Sequence, residues 1–485
     1  MQIALVNPPR SNHDLAELGP PLGLLNLTRA AGDVGIEAGI VDFNLLWHTT
    51  PDLQIHFYER ATELLLSTNA RIYGFTSMAV DSHVSLELAR RVKEANPRAR
   101  TVLGGTHFSA LAERIPHEYP WVDRVIPREG EGGLVDFAFA CGVQPRAGSP
   151  KASTYSGVDL EQYFSVNPRR MVDVESARGC RFKCSFCYSP GHYPQRTSLD
   201  ISRLIADLHE LRDGGAKHFF LVDDNFLNEE ERAIEVCAAL EAASMDLTWH
   251  CYATLPQLSP RAVVAMAHAG CVAVFTGIDA VGKDSQRTYG KRFANSSEDS
   301  GRKIRLCLDH GIVPTCAFLV APPSHPCGAD SEQTVKAALS ARVLGANIRL
   351  NILTQYPGTR LASDSGQPVE FDDYRVRVGL DAPAVIASND YAAVLPELFP
   401  FHSRYVPSKE WRDFVQQVHC LFTLLYARTD ELADRLQQDR PTKLFPIATQ
   451  VLEEIGDLLR IDTLGRRQAE VIAFDSINIL DQIAV

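Results

Sequence analysis

The chain is 485 residues long, too long for one ordinary domain, and its 45% hydrophobic and 22% charged residues are the balance of a soluble globular protein. Its 60 acidic residues outnumber the 48 basic ones, and the formal charge of −12 argues against a nucleic-acid-binding surface and for small-molecule substrates. The first apolar run, Ile3–Val6, is too short for a signal peptide, and the stretch around Leu421 to Ala427 falls well short of a membrane span.

From the N-terminus, short apolar runs alternate with helical periodicity, which predicts βαβ units around a parallel sheet. Strands are expected at Ile3–Val6, Ile40–Asp42, Ile72–Phe75, Thr101–Leu103 and Arg124–Ile126. A helix from Ser82 to Asn96 presents Val84, Leu86, Leu88 and Val92, and Pro97 closes it. Five strands in this order suggest an open, doubly wound, Rossmann-like α/β sheet with its ligand beyond the strand C-terminal ends.

The loops at those ends carry a recurring pattern. Asn7-Pro8-Pro9 follows the first strand, Pro20-Pro21-Leu22-Gly23-Leu24 opens the first helix, and Ser77 follows the third strand. Gly104-Gly105-Thr106-His107 follows the fourth, where two glycines let backbone approach a bulky ligand, and Glu129-Gly130-Glu131 follows the fifth. In order and spacing these loops resemble the cobalamin-binding domain that precedes many radical S-adenosylmethionine (SAM) modules. The resemblance covers residues 1–141 and implies cobalamin contacts from Asn7, Pro8, Ser77, Gly104, Gly105, Thr106, Glu129, Gly130 and Glu131. Proteins that ligate cobalt with histidine carry D-x-H-x-x-G after the first strand, where this chain reads Arg10-Ser11-Asn12-His13-Asp14. Asp81-Ser82-His83 follows the third strand without the glycine, and Asp81 reads as a helix N-cap. Cobalt is therefore expected to have no histidine ligand from His13 or His83.

Residues 142–170, rich in Pro, Gly and Ser, read as a linker. A second alternation begins at Val172, and after its first strand comes Ala177-Arg178-Gly179-Cys180-Arg181-Phe182-Lys183-Cys184-Ser185-Phe186-Cys187-Tyr188. Cys180, Cys184 and Cys187 have the spacing C-x3-C-x2-C. Three thiolates on one loop can hold three irons of a [4Fe-4S] cube and leave the fourth open to a ligand. A zinc knuckle wants a second ligand pair, and His192 stands alone. The motif resembles the signature of the radical SAM superfamily, in which the amino and carboxylate groups of SAM occupy the open iron.

Further along, a helix is expected at Ser202–Arg212, ended by Gly214-Gly215, with strands at His218–Val222, Leu247–Tyr252, Val272–Gly277, Val313–Val320 and Asn347–Leu353. Six such units, residues 171–365, resemble the partial (β/α)6 TIM-type barrel of the superfamily, with its site at the C-terminal mouth. Asp223-Asp224 ends the second strand where the family contacts the SAM amino group; a helix N-cap or loop carboxylate is the plain alternative. Phe275-Thr276-Gly277-Ile278-Asp279 resembles the family's Gly-Ile-Glu-Ser step, with Asp279 in place of the glutamate that meets the ribose hydroxyls. Phe186 and Tyr188 either shield cluster and adenine or pack in the core. Thr354-Gln355-Tyr356-Pro357-Gly358-Thr359 matches the family's Pro-Tyr-Pro-Gly-Thr stretch, in which Pro357 and Gly358 shape backbone. Ala321-Pro322-Pro323-Ser324 lacks the family's Gly-x-Pro-x-Glu pattern, so no SAM contact is expected there. Residues 366–485, including Phe399–Tyr405 and the segment Glu410–Leu436, are expected to form a mainly helical capping region.

Taken together, the resemblance implies a cobalamin-dependent radical SAM enzyme, most commonly a methyltransferase. It would methylate an unactivated centre of a small biosynthetic metabolite through a 5′-deoxyadenosyl radical and methylcobalamin, with an external electron donor such as flavodoxin or ferredoxin. A radical rearrangement, oxidation, cyclisation or ring contraction with the same cofactors is the alternative. A non-catalytic cobalamin or iron–sulfur sensor is the alternative of another class. The other eight cysteines have no disulfide-like spacing, and a cluster protein with free thiols belongs in a reducing cytoplasm. The residues do not single out a catalytic acid or base.

Overall fold

The computed structural model describes residues 1–10, 15–146, 153–291, 297–320, 329–364, 370–371, 391–395, 398 and 403–404. The first sheet is built from β1 (Ile3–Asn7), β2 (Ala38–Asp42), β3 (Ile72–Thr76), β4 (Arg100–Gly104) and β5 (Arg124–Val125). All its pairings are parallel, in the order β2-β1-β3-β4-β5. Parallel neighbours need crossovers, and helices such as Leu22–Asp33, Phe57–Ser67 and Ser82–Ala95 supply them. Successive strand residues point to opposite faces, so Ile3 and Leu5 join one core with Leu24, Leu134 and Phe137. Ala4 and Val6 join the other, with Leu65, Leu86, Leu88 and Val92. The strand order reverses between β1 and β3, which opens a crevice beyond their C-terminal ends.

Two sequence expectations change in this part of the chain. The stretch read as a linker is largely built structure. Tyr155, Leu160, Tyr163 and Phe164 are buried, and the Tyr163 hydroxyl donates to Asp42 at 2.8 Å. Among the described residues, Gly142, Ser156, Gly157, Ser165 and Pro168 lie in turns. Asp81 stands at the N-cap position of the helix Ser82–Ala95, but its carboxylate accepts from the Met78 N–H and pairs with Arg10 at 2.9 Å.

The second alternation starts with β6 (Met171–Val174). A two-stranded antiparallel ribbon, β7 (Ala177–Arg178) and β8 (Thr197–Ser198), then brackets the cysteine loop. β9 (His218–Leu221), β10 (Thr248–Thr254), β11 (Cys271–Asp279), β12 (Val313–Val320) and β13 (Asn347–Ile352) complete six main strands separated by helices. By internal contacts the chain divides into one unit of residues 1–274 and 354–405 and another of 275–353 and 406–485, so β11 begins in the first and ends in the second. In the first unit β9 lies parallel between β6 and β10; in the second, β12 and β13 are parallel. Most of residues 366–485, Ala321–Ser324 and His13 lie outside the described residues.

In the first unit one face of β6, β9 and β10 buries Val172, Val174, Phe219, Leu221, Trp249 and Cys251. The alternate face presents Asp173, Phe220 and His250 in register, with Phe220 stacked on His250 at 4.1 Å between ring centres. Burial pushes the Asp173 carboxyl up to about 7, reinforced by Glu17 and opposed by Arg10. The fold therefore holds a proton that the unfolded chain releases above its ordinary value of 3.8. The associated stability is complete below about pH 4 and lost as the pH rises through about 7. Asp173→Asn should flatten the fall in denaturation midpoint between those limits, and an unchanged slope would refute the assignment.

Candidate active site

The cysteine loop leaves regular structure at β7, and its backbone groups must find partners elsewhere. The polar run after β9 provides them. Asp223 accepts from the Ser176 N–H at 2.7 Å, the Ser176 hydroxyl at 2.6 Å and the Ala177 N–H at 3.0 Å. It is buried, and burial pushes its carboxyl up to about 6. Asp224 accepts the Gly179 N–H at 2.8 Å. Asn228 accepts the Arg181 N–H at 2.9 Å and donates to the Gly179 carbonyl at 3.2 Å. Gly179 has φ +85°, and a Cβ there would lie 3.1 Å from both Tyr193 and the Gln195 carbonyl, so glycine turns the chain into Cys180.

Cys180, Cys184 and Cys187 form no disulfide and are half-buried on this loop, with the Cys187 N–H donating to the Cys184 carbonyl at 3.2 Å. Burial pushes the Cys187 thiol up to about 12, and Cys184, Asp224 and Cys180 act in the same direction. Ionised sulfur here needs a cation beside it. Among the described residues no three His, Cys, Asp or Glu side chains close on a single ion. A cube takes one iron per thiolate and suits three cysteines of one loop. Asn225, which the sequence reading passed over, donates from Nδ2 to Cys180 Sγ at 3.9 Å.

The aromatic neighbours divide. Phe186 is half-buried and Tyr188 is 43% exposed. His192 packs edge-on against Tyr193, 4.5 Å between ring centres; burial, with Arg178 and Arg128, holds its imidazole down at about 4 and neutral. The turn Thr354–Thr359 closes on itself through Thr359 Oγ1 to the Tyr356 carbonyl at 2.7 Å, and the Leu361 N–H donates to the Ser185 carbonyl at 2.8 Å. The residue two beyond that turn thus ties it to the cysteine loop.

Arg178, two residues before Cys180, ties the loop to the first domain. It pairs with Glu175 at 2.7 Å, Glu131 at 2.7 Å and Glu129 at 3.1 Å. Glu129 and Glu131, expected to face cobalamin, thus spend their carboxylates on the root of the cysteine loop. Asn7 is likewise committed, donating to Asp42 Oδ1 at 2.8 Å, and Pro8 is buried beside it. Ser77, Gly104, Gly105 and Thr106 lie at the ends of β3 and β4, beside the reversal of strand order. Gly105 has φ +97°, and a Cβ there would come within 2.9 Å of the Ser77 carbonyl. This close-packed backbone, short of side chains, fits the edge of a large flat ligand. His107 donates to the Leu398 carbonyl at 2.7 Å, and burial holds it down at about 4. His83 is buried within the helix Ser82–Ala95.

In the second unit, Asp279 ends β11 with φ +60° and forms an ion pair with Lys291, both side chains being nearly buried. Lys291 also donates to the Gly277 carbonyl at 3.0 Å. The sequence reading gave Asp279 no such partner, because a lysine twelve residues on carries no local signal.

Comparison with known proteins agrees with this geometry. Residues 174–326 match the radical SAM superfamily model, and residues 13–138 match the B12 binding domain model. An uncharacterized methyltransferase of Pyrococcus horikoshii is 24% identical over 395 residues, 74% of this chain and 82% of that protein. An anaerobic magnesium-protoporphyrin IX monomethyl ester cyclase of Rubrivivax gelatinosus is 22% identical over 349 residues, 65% of this chain and 62% of that protein. Among solved structures, the fold resembles the cobalamin-dependent SAM radical enzyme OxsB, with aqua-cobalamin and SAM bound. Its TM-score is 0.64 at 12% identity, covering 99% of this chain and 79% of that one. It also resembles the radical SAM methyltransferase TsrM of Kitasatospora setae, with cobalamin and a [4Fe-4S] cluster bound. There the TM-score is 0.60 at 17% identity, covering 74% of this chain and 73% of that one. The arrangement is thus a Rossmann-like B12-binding domain followed by a partial-barrel radical SAM domain.

Proposed function

We propose, from the chain's membership of the radical SAM enzymes that carry a B12-binding domain, that it methylates a poorly activated centre of a small biosynthetic metabolite. The observation that carries this reading is Arg178. One guanidinium joins the loop after β5 to the root of the cysteine loop, so the B12-binding domain and the cysteine loop belong to one unit. When bound, the cluster and SAM supply a hydrogen-abstracting radical, and cobalamin carries the methyl group. Cys180, Cys184 and Cys187 hold the cluster. Asp224, Phe186, Tyr188, Gly277 and Asp279 are the SAM contacts we propose, with Asp223 reassigned to the loop root. Ser77, Gly104, Gly105, Thr106 and Gly130 edge the cobalamin crevice, and cobalt takes no histidine from this chain.

Holding donor and acceptor in place removes an entropic barrier, on the order of 7–11 kcal/mol in favourable intramolecular cases. The cysteines outside disulfides and the cluster suit a reducing cytoplasm, with a flavodoxin or ferredoxin as electron donor. No described helix is long and apolar enough to cross a membrane.

The cyclase-named relative favours a second reading, a radical cyclisation or oxidation without net methyl transfer. Methyl-labelled SAM separates the two. With the true substrate, label should enter product alongside 5′-deoxyadenosine and S-adenosylhomocysteine. Product formed with deoxyadenosine but no label would establish the second reading.

A further inference from the structure

Leu22, Asn26 and Arg29 stand at successive turns of the helix Leu22–Asp33 and so share one face of it. Leu22 and Asn26 line a small cleft whose other side includes Arg203, Leu204 and Asp207 of the helix Ile201–Asp213. The polar groups of the cleft are largely engaged with one another. Arg203 Nη2 donates to Asn26 Oδ1 at 3.1 Å and to Thr154 Oγ1 at 3.0 Å. Asn26 Nδ2 donates to Glu175 Oε1 at 2.8 Å, and that carboxylate already pairs with Arg178. Asp207 accepts the Thr154 N–H at 2.9 Å.

Arg29 is the exception, because its Nε and Nη1 are buried without a hydrogen-bond partner. It lies close enough to Arg203 to repel it. Burial first, and the charge of Arg29 second, hold the Arg203 guanidinium below its ordinary value, with Asp207 and Glu175 acting against them. Among the described residues neither arginine forms an ion pair, and three N–H groups of Arg29 are idle. A buried cation facing a second one is costly unless an opposite charge joins them. A guanidinium offers its N–H groups as a planar fork that matches two oxygens of an oxyanion.

We propose that Arg29 and Arg203 together bind a small tetrahedral oxyanion, inorganic phosphate, at the seam between these two helices. One helix opens with the Pro20-Pro21-Leu22 loop of the B12-binding domain, and the other follows the cysteine loop. A shared anion therefore fastens the two domains at a second place beside the Arg178 cluster.

The test uses phosphate-free, full-length protein, with calorimetric titration of inorganic phosphate at constant ionic strength and the thermal midpoint as readouts. Wild-type protein should bind phosphate and melt at a higher temperature with it than with matched chloride. Arg29→Met keeps an aliphatic stem and loses the fork, so it should bind phosphate at least about tenfold more weakly. Without phosphate that variant should melt no lower than wild type, because the repulsion against Arg203 is gone. Wild-type protein that takes up no phosphate would overturn the proposal whether or not the variant folds. So would an equal rise in midpoint for wild type and Arg29→Met, since phosphate then acts through the solvent. A lower midpoint of the variant in phosphate-free buffer would show that Arg29 has a partner of its own in the protein, with the same result. Cobalamin carries a phosphodiester, and loading it separates that source from the free ion. Phosphate affinity should agree within about threefold between cobalamin-free and cobalamin-loaded protein. Phosphate binding lost on loading would hand the two arginines to the cofactor and overturn the free-ion site.

Discussion

Anaerobically reconstituted Cys184→Ala is expected to lose iron, the brown absorbance of the cluster and SAM cleavage together. Two thiolates cannot hold a cube that three hold with one iron already open, and among the described residues no further His, Cys, Asp or Glu completes a metal-binding group with them. The ring of His192 is packed edge-on against Tyr193, with the positive charge of Arg178 acting on it, which opposes a cation at that ring. The other described cysteines, Cys141, Cys237, Cys251, Cys271, Cys307 and Cys316, lie outside the loop. Removal of Cys180 or Cys187 should give the same outcome. Cobalamin binding should survive, because the crevice at β1 and β3 uses none of these sulfurs. A variant with full iron and normal 5′-deoxyadenosine formation would sink the cluster assignment.

The strands were legible because parallel strands are covered on both faces and read as apolar runs. Ile3–Val6, Ile72–Phe75 and Val313–Val320 are found at or within a residue of their expected ends. β7 and β8 were not expected. Each is two residues long, β8 is exposed, and their pairing is set by the loop they bracket. The cysteine loop was legible for the opposite reason: C-x3-C-x2-C is one residue type at one spacing, so pattern alone picks out the three thiols that the structure places half-buried on one loop.

Side chains that work by reaching across the fold were not legible. Glu129 and Glu131 stand where a cobalamin contact is expected by loop position, yet Arg178, some fifty residues on, claims them. Lys291 does the same to Asp279. A carboxylate's sequence position fixes which loop carries it, while its partner depends on what the folded chain brings alongside. The Asp223-Asp224-Asn225 run shows the point within three residues. All three were drawn to one place by the strand they follow, but Asp223 turns to Ser176 and Ala177, Asp224 to Gly179, and Asn225 to Cys180.

That division makes Asp223 the site of the second large effect. Asp223→Ala leaves the Ser176 and Ala177 N–H groups buried without acceptors. Each lost partner costs about 1–3 kcal/mol, so the variant should be destabilised by about 4 kcal/mol. Asp223→Asn keeps one amide oxygen for the two N–H groups, and the Ser176 hydroxyl can rotate to accept from the new NH2. It should lose about 1 kcal/mol. The consequence for the site follows from distance along the chain. Ala177 lies three residues before Cys180, so releasing it frees the base of the loop, and Asp223→Ala should take up less iron while still binding cobalamin. Denaturation midpoints, iron content and SAM affinity read the three effects separately. Unchanged stability and iron would refute the clamp. Full iron with SAM affinity lost would instead restore Asp223 to the SAM site where the sequence first placed it.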